Sequence, residues 1–110
     1  MIEAELASLV ERFNRHVDRT PALREELTGL SRTVAVRLTD GESFAVDLAE
    51  GHLRNLRQEH VAHADVTITT DRATFEGLLA KEIGPMKAMV TRKLTIDGSL
   101  EDKLLFRKLL

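Results

Sequence analysis

The sequence predicts a two-layer α/β (α+β) domain: a five-stranded, mostly antiparallel sheet with helices packed on one face. Three observations carry this. Short segments alternate apolar and polar residues, and their apolar members gather on one side. Amphipathic stretches of helical period flank and interrupt these segments. At 110 residues without repeat, linker or low-complexity run, residues 1–110 form a single domain around one core.

The elements follow in order. Residues 2–18 place Ile2, Leu6, Leu9, Val10, Phe13 and Val17 at helical spacing, with Glu3, Glu11, Arg12 and Arg15 opposite. Thr20-Pro21 supplies a cap and a first-position proline for a short helix bearing Leu23 and Leu27, which Gly29 ends. Val34, Val36 and Leu38 alternate with Thr33, Ala35 and Arg37, and Phe44, Val46 and Leu48 with Ala45 and Asp47. Thr39-Asp40-Gly41-Glu42 joins these two strands as a hairpin, and Ala49-Glu50-Gly51 is a second turn. His52 to Gln58 does not alternate cleanly and reads as a polar edge strand, with a short helix as the alternative.

Asp65 to Thr70 is a strand built on Val66 and Ile68. Asp71 caps a helix carrying Phe75, Leu78, Leu79 and Ile83, with Gly77 in its middle either for close packing or merely tolerated. Pro85 opens another helix, with Met86, Met89 and Val90 on one face. Leu94 and Ile96 form the last strand, Gly98 ends it, and Ser99 with Asp102 resembles a capping box. In the final helix, 100–110, Leu105, Phe106, Leu109 and Leu110 span an arc of roughly 140°, with Leu100 and Leu104 on another flank. The sheet's second face, rich in Thr with Arg37, Asp47 and Asp97, is expected to be wet.

Composition narrows the function. A net charge of −2 gives no basic excess for nucleic acid, and four phenylalanines without Trp or Tyr offer few stacking platforms. The absence of cysteine excludes disulfides and thiol chemistry and fits a reducing, cytoplasmic compartment. No apolar run reaches the length of a membrane span, and the acidic start Met1-Ile2-Glu3-Ala4-Glu5 is no targeting peptide.

No catalytic group assembles. Ser8 lies within the first helix, Ser31 before a strand, Ser43 by a hairpin turn and Ser99 at a cap, none of them in a nucleophile elbow. His60, His63 and Asp65 lack a strong zinc spacing and read as loop residues. The glycines punctuate elements and form no phosphate cradle. No enzyme, metal or cofactor is therefore expected. Lys87, Arg92, Lys93, Lys103, Arg107 and Lys108 are either ordinary polar helix faces or a patch for an anionic lipid surface or acidic head group. Met86 and Met89, with Phe75, Leu79 and Phe106, are either plain core or the wall of an adaptable apolar pocket.

Ala64-Asp65-Val66-Thr67-Ile68, the helix through Leu78-Leu79, Pro85-Met86-Lys87-Ala88 and Lys93-Leu94-Thr95-Ile96-Asp97-Gly98 together resemble the sterol carrier protein type-2 family. The match covers about half the chain well; Arg32 to Gly51 extends it more weakly. The resemblance implies a five-stranded sheet, an apolar tunnel between the layers, and non-catalytic binding or transfer of sterols, phospholipids, fatty acids or fatty acyl-CoA. It also implies relatives fused to lipid-metabolising enzymes such as alkyl sulfatases. Carried over, Phe75, Leu79, Met86, Met89, Val90, Leu105, Phe106 and Leu109 are the candidate ligand wall.

There are departures from the family. The ending Arg107-Lys108-Leu109-Leu110 is not the peroxisomal Ser-Lys-Leu type, no segment follows the last helix to close a tunnel, and Thr91-Arg92 stands where relatives commonly place a glycine. A cytoplasmic, prokaryotic stand-alone domain is the expectation, with a lipid or other long-chain apolar ligand as partner. Transient membrane-surface contact and a homodimer through the C-terminal helix are further expected partnerships. The alternative is a structural or oligomerisation module of the same fold without a functional cavity.

Overall fold

Local chemistry sets the elements, and their apolar faces set the layers. The computed structural model describes the backbone of residues 2–109 and the side chains of residues 3–105. Helix α1 runs Ile2–Arg19 and α2 Pro21–Leu27. Strands β1 (Ser31–Leu38), β2 (Ser43–Ala49) and β3 (His52–Gln58) form a meander, and β4 (Val66–Thr70) follows a crossover. Helices α3 (Arg72–Leu79) and α4 (Pro85–Val90) then lead to β5 (Leu94–Gly98) and α5 (Leu100–Leu109).

The sheet has five strands in the order β3-β2-β1-β4-β5. Only β1 and β4 pair in parallel, in the register Val34↔Val66 and Val36↔Ile68; the other neighbours are antiparallel. Val34, Val46, Leu48, Val66 and Ile96 are buried on one face, where Val17 of α1 and Leu27 of α2 join them. Burying such aliphatic side chains stabilises the domain by about 1.5–3 kcal/mol each. No described helix is long and apolar enough to cross a membrane.

Three expectations need correcting. The second face of the sheet is not simply wet: Ala35 and Ala45, which alternate with the core residues, are buried. The segment from β3 to β4 crosses the sheet here, because β4 lies beyond β1, and Arg37 Nη2 donates to the Val61 carbonyl at 2.9 Å. Helix α3 ends at Leu79, before Ile83. Lys81 takes a left-handed conformation (φ 62°), while Lys81 N–H donates to the Leu78 carbonyl and Glu82 N–H to the Gly77 carbonyl. This is a Schellman closure, which turns the chain off the helix axis. Finally, Ser99 Oγ accepts Asp102 N–H at 3.1 Å, but the Asp102 carboxylate does not complete a reciprocal box; it takes Arg32 Nε at 2.9 Å and ties α5 to β1.

Asp71 caps α3 as expected. Its carboxylate accepts Thr74 N–H at 2.7 Å and the Thr74 hydroxyl at 2.8 Å. The Thr74 backbone bond, then the hydroxyl bond, hold this carboxyl below its ordinary value of 3.8. Asp71→Ala should therefore lower stability at neutral pH by about 1 kcal/mol. Because the folded pKa is depressed, the wild-type advantage is complete above 3.8 and fades as pH falls below it through the folded value. Urea unfolding of both proteins at neutral pH and well below 3.8 reads the difference.

Candidate functional site

The site is built on the apolar face of the sheet, between it and α1 and α3. There the layers do not close, leaving a cavity of about 450 Å³. Its floor comes from alternating strand residues: Val34 and Val36 of β1, Phe44 and Val46 of β2, Ile68 of β4 and Leu94 of β5. Helix α1 contributes Leu6, Leu9, Val10 and Phe13, and α3 contributes Phe75, Leu78 and Leu79. Ile83, Gly84 and Pro85 close one side. A Cβ on Gly77 would stand 2.5 Å from Ile83 Cδ1, so the glycine lets Ile83 fold back against α3.

Strand β3 supplies Leu53 and Leu56 to the same wall. In a regular strand, residues three apart face opposite sides. Here the register shifts from Ala45↔Arg57 to Asp47↔Arg54, so β3 carries an extra residue, and Asn55 is left-handed at φ 60°. This bulge turns both leucines toward α1.

One side chain fastens α1 to this edge strand. Asn14 Nδ2 donates to the Leu53 carbonyl at 2.9 Å, and Asn14 Oδ1 accepts Leu53 N–H at 2.8 Å. One turn on, Asp18 Oδ1 lies 2.7 Å from His52 Nε2. Asn14 thus satisfies both backbone groups that Leu53 presents at the free edge. Asn14→Ala should cost about 1–2 kcal/mol and speed amide exchange at Leu53, read by urea unfolding and hydrogen exchange.

Among the described residues the wall is apolar except for Arg12 and Lys81, both exposed, which mark where the cavity meets solvent. Neither forms a salt bridge among the described residues. The sequence reading missed both as site residues. The helical period places Arg12 on the solvent face of α1 and Lys81 within a longer α3.

The eight wall candidates divide. Phe75 and Leu79 line the cavity. Met89 is half-buried against the main core cluster instead. Met86 and Val90 are 50% and 77% exposed and lie off the wall, because α4 faces the rest of the protein through buried Ala88 and half-buried Met89. Leu105 packs against the core and borders a second, open groove of about 640 Å³ with Leu30, Arg32, Glu101, Asp102 and Leu104. Phe106 and Leu109 have side chains outside the described residues. Among the described residues, no group of three or more His, Asp and Glu is placed to hold a metal ion.

The backbone is similar to several solved structures. A ubiquinone synthesis protein, UbiJ-SCP2, superposes with a TM-score of 0.64 at 18% identity, covering 94% of this chain and 90% of that one. A palmitated SCP2-like protein from Aedes aegypti gives 0.61 at 19% identity, covering 91% and 88%. The inverting sec-alkylsulfatase Pisa1 from Pseudomonas sp. gives 0.60 at 22% identity over 79% of this chain, which spans only 14% of the sulfatase. At such identities the likeness is one of fold. No curated protein sequence matches the chain. The model of the SCP-2 sterol transfer family matches residues 10–110. The chain therefore belongs to the SCP-2 sterol transfer family, whose domains in general bind or transfer lipids.

Proposed function

We propose that this domain is a non-catalytic carrier for a single-chain lipid, held in the cavity between the sheet, α1 and α3. The observation that carries the reading is the 450 Å³ space walled by apolar side chains with two cations at its rim. A cavity of about 150 Å³ holds benzene, roughly 25 Å³ per carbon, so this one has room for about 18 carbons. That suits one long acyl chain better than a sterol or a two-chain phospholipid. The palmitated relative from Aedes aegypti supports the same class.

Binding would be partition. Each methylene leaving water for the wall contributes about 0.8 kcal/mol. Arg12 and Lys81 would meet a carboxylate or phosphate at the rim and set the chain's direction. Among the described residues, no nucleophile, base and orienting group converge on the cavity, and its ionisable wall residues are these two cations.

The test is native mass spectrometry on protein purified without detergent, with displacement of a fluorescent fatty acid. The expected result is one bound long-chain lipid per protein and saturable displacement. No co-purified lipid together with no saturable binding sinks the reading.

A second reading, an oligomerisation module, has one observation in its favour. Leu100 and Leu104, one turn apart on α5, are 74% and 54% exposed. Sedimentation equilibrium decides it: a concentration-dependent dimer abolished by Leu104→Asp would support the module, and a monomer throughout would remove it.

A further inference from the structure

We propose that the outer flank of α4 is a docking surface for an anionic lipid bilayer, placed so that the cavity mouth opens at the membrane. The inference rests on the carrier reading for its purpose but on separate residues for its physics.

Ala88, 1% exposed, and half-buried Met89 hold α4 to the rest of the protein. Met86 and Val90, one turn apart, point outward. At about 100° per residue, Met86, Val90 and Lys87 fall within an arc of roughly 100°, on the side away from Ala88. An apolar pair beside a cation is the pattern of an element that enters the head-group layer.

The surrounding charge is one-sided. Residues 81–93 carry Lys81, Lys87, Arg92 and Lys93 against the single carboxylate of Glu82, in a chain of net charge −2. All four cations are exposed, and none forms a salt bridge among the described residues. Arg32, Arg57 and Arg72 elsewhere each hold a carboxylate partner. Arg92 projects from a left-handed turn (φ 61°) just after α4. Asp71 is the nearby acidic group on another element; it acts on Lys93 only at a distance, its own oxygens being taken by Thr74. A basic pole on an otherwise acidic protein orients it toward a negative surface.

Position completes the case. Lys81, Ile83, Gly84 and Pro85 line the cavity and run directly into α4. A bilayer touching Met86 and Val90 therefore lies next to the mouth. Two exposed apolar side chains are far short of the ~1,000 Å² that a stable protein interface buries, whereas a bilayer accepts shallow insertion reinforced by several cations.

The chain has no tryptophan, so Val90→Trp introduces a lone reporter at a solvent-facing site. With phosphatidylserine–phosphatidylcholine vesicles its emission should shift to the blue, and brominated acyl chains should quench it. Pure phosphatidylcholine and high salt should abolish both effects. Neutralising Lys87 and Lys93 together (Lys87→Gln, Lys93→Gln) should weaken vesicle binding about 25-fold, at about five-fold per cation. Displacement of the fluorescent fatty acid in vesicle-free solution should stay within two-fold of wild type in these variants. Equal binding to neutral vesicles, indifference to the two lysines, or a reporter shift from self-association without vesicles would each overturn the proposal. Vesicle binding without fatty-acid binding would overturn the carrier reading and leave the docking surface standing; the reverse would do the opposite.

Discussion

Leu79→Trp is expected to bind a long acyl chain at least about 100-fold more weakly than wild type while leaving the fold as stable or more so. Leu79 is half-buried on the cavity wall, so a larger ring has open space to enter rather than packed neighbours to displace. Tryptophan adds about six heavy atoms, which at the roughly 25 Å³ per carbon of a known cavity removes room for about six of some 18 carbons. At about 0.8 kcal/mol per methylene, the lost contact approaches 5 kcal/mol, and a chain that folds back along the remaining wall or onto the new ring recovers part of it. Chains shorter by that amount should bind nearly as before, so the signature is a change in length preference. Met86→Trp, on an exposed site off the wall, should leave ligand affinity unchanged. Competition by fatty acids of increasing length, with thermal unfolding alongside, tests both. Equal affinity across lengths in Leu79→Trp, or its unfolding, would mean that the space at Leu79 is packed core.

The sequence foretold the sheet well because strand alternation is a local signal. Val34, Val36, Phe44, Val46, Val66, Ile68, Leu94 and Ile96 were assigned to one face, and the structure puts them there. It foretold the wall poorly wherever the backbone departs from a regular period. Leu53 and Leu56 broke alternation because Asn55 makes a bulge, and the bulge is what brings both to the cavity. Ile83 continued the α3 stripe in register, yet the left-handed Lys81 takes it out of the helix and back onto Gly77. The helical period puts Met86, Met89 and Val90 on one stripe, but the six-residue α4 is seated through Ala88 and Met89, which leaves Met86 and Val90 outside. Arg92, just before β5, adopts a positive φ (61°) of the kind glycine favours, which no periodicity reveals. The buried Ala35 and Ala45 could not betray the crossover above them, since alanine is at home on either face.

Gly98→Ala should destabilise the domain by about 2–4 kcal/mol, because two independent penalties meet at one position. Gly98 pairs with Val66 at the end of β5 and has φ 157°, outside the region that side chains readily adopt. A Cβ there would lie 2.7 Å from the Asp65 carbonyl oxygen, which is backbone and cannot rotate away. Nor can Asp65 shift freely: its N–H donates to the Thr33 carbonyl at 2.9 Å, and its carboxylate accepts Thr33 N–H at 2.7 Å. The Ala-Asp strand start and the strand-ending glycine, two separate parts of the family-like sequence pattern, are thus one contact at the foot of β1, β4 and β5. Relief of the clash must pull β5 from β4 or β4 from β1. Gly77→Ala makes an informative contrast. The nearest atoms to its added methyl are Cδ1 and Cγ1 of the Ile83 side chain, which can rotate toward the cavity, and helix propensity gains about 1 kcal/mol. Gly77→Ala should therefore be nearly neutral for stability and should weaken ligand binding, whereas Gly98→Ala should lower stability and raise amide exchange at Val66 and Ile68 first. Urea unfolding with residue-resolved hydrogen exchange separates the two, and equal stability of Gly98→Ala and wild type would show that β5 is not held in this register.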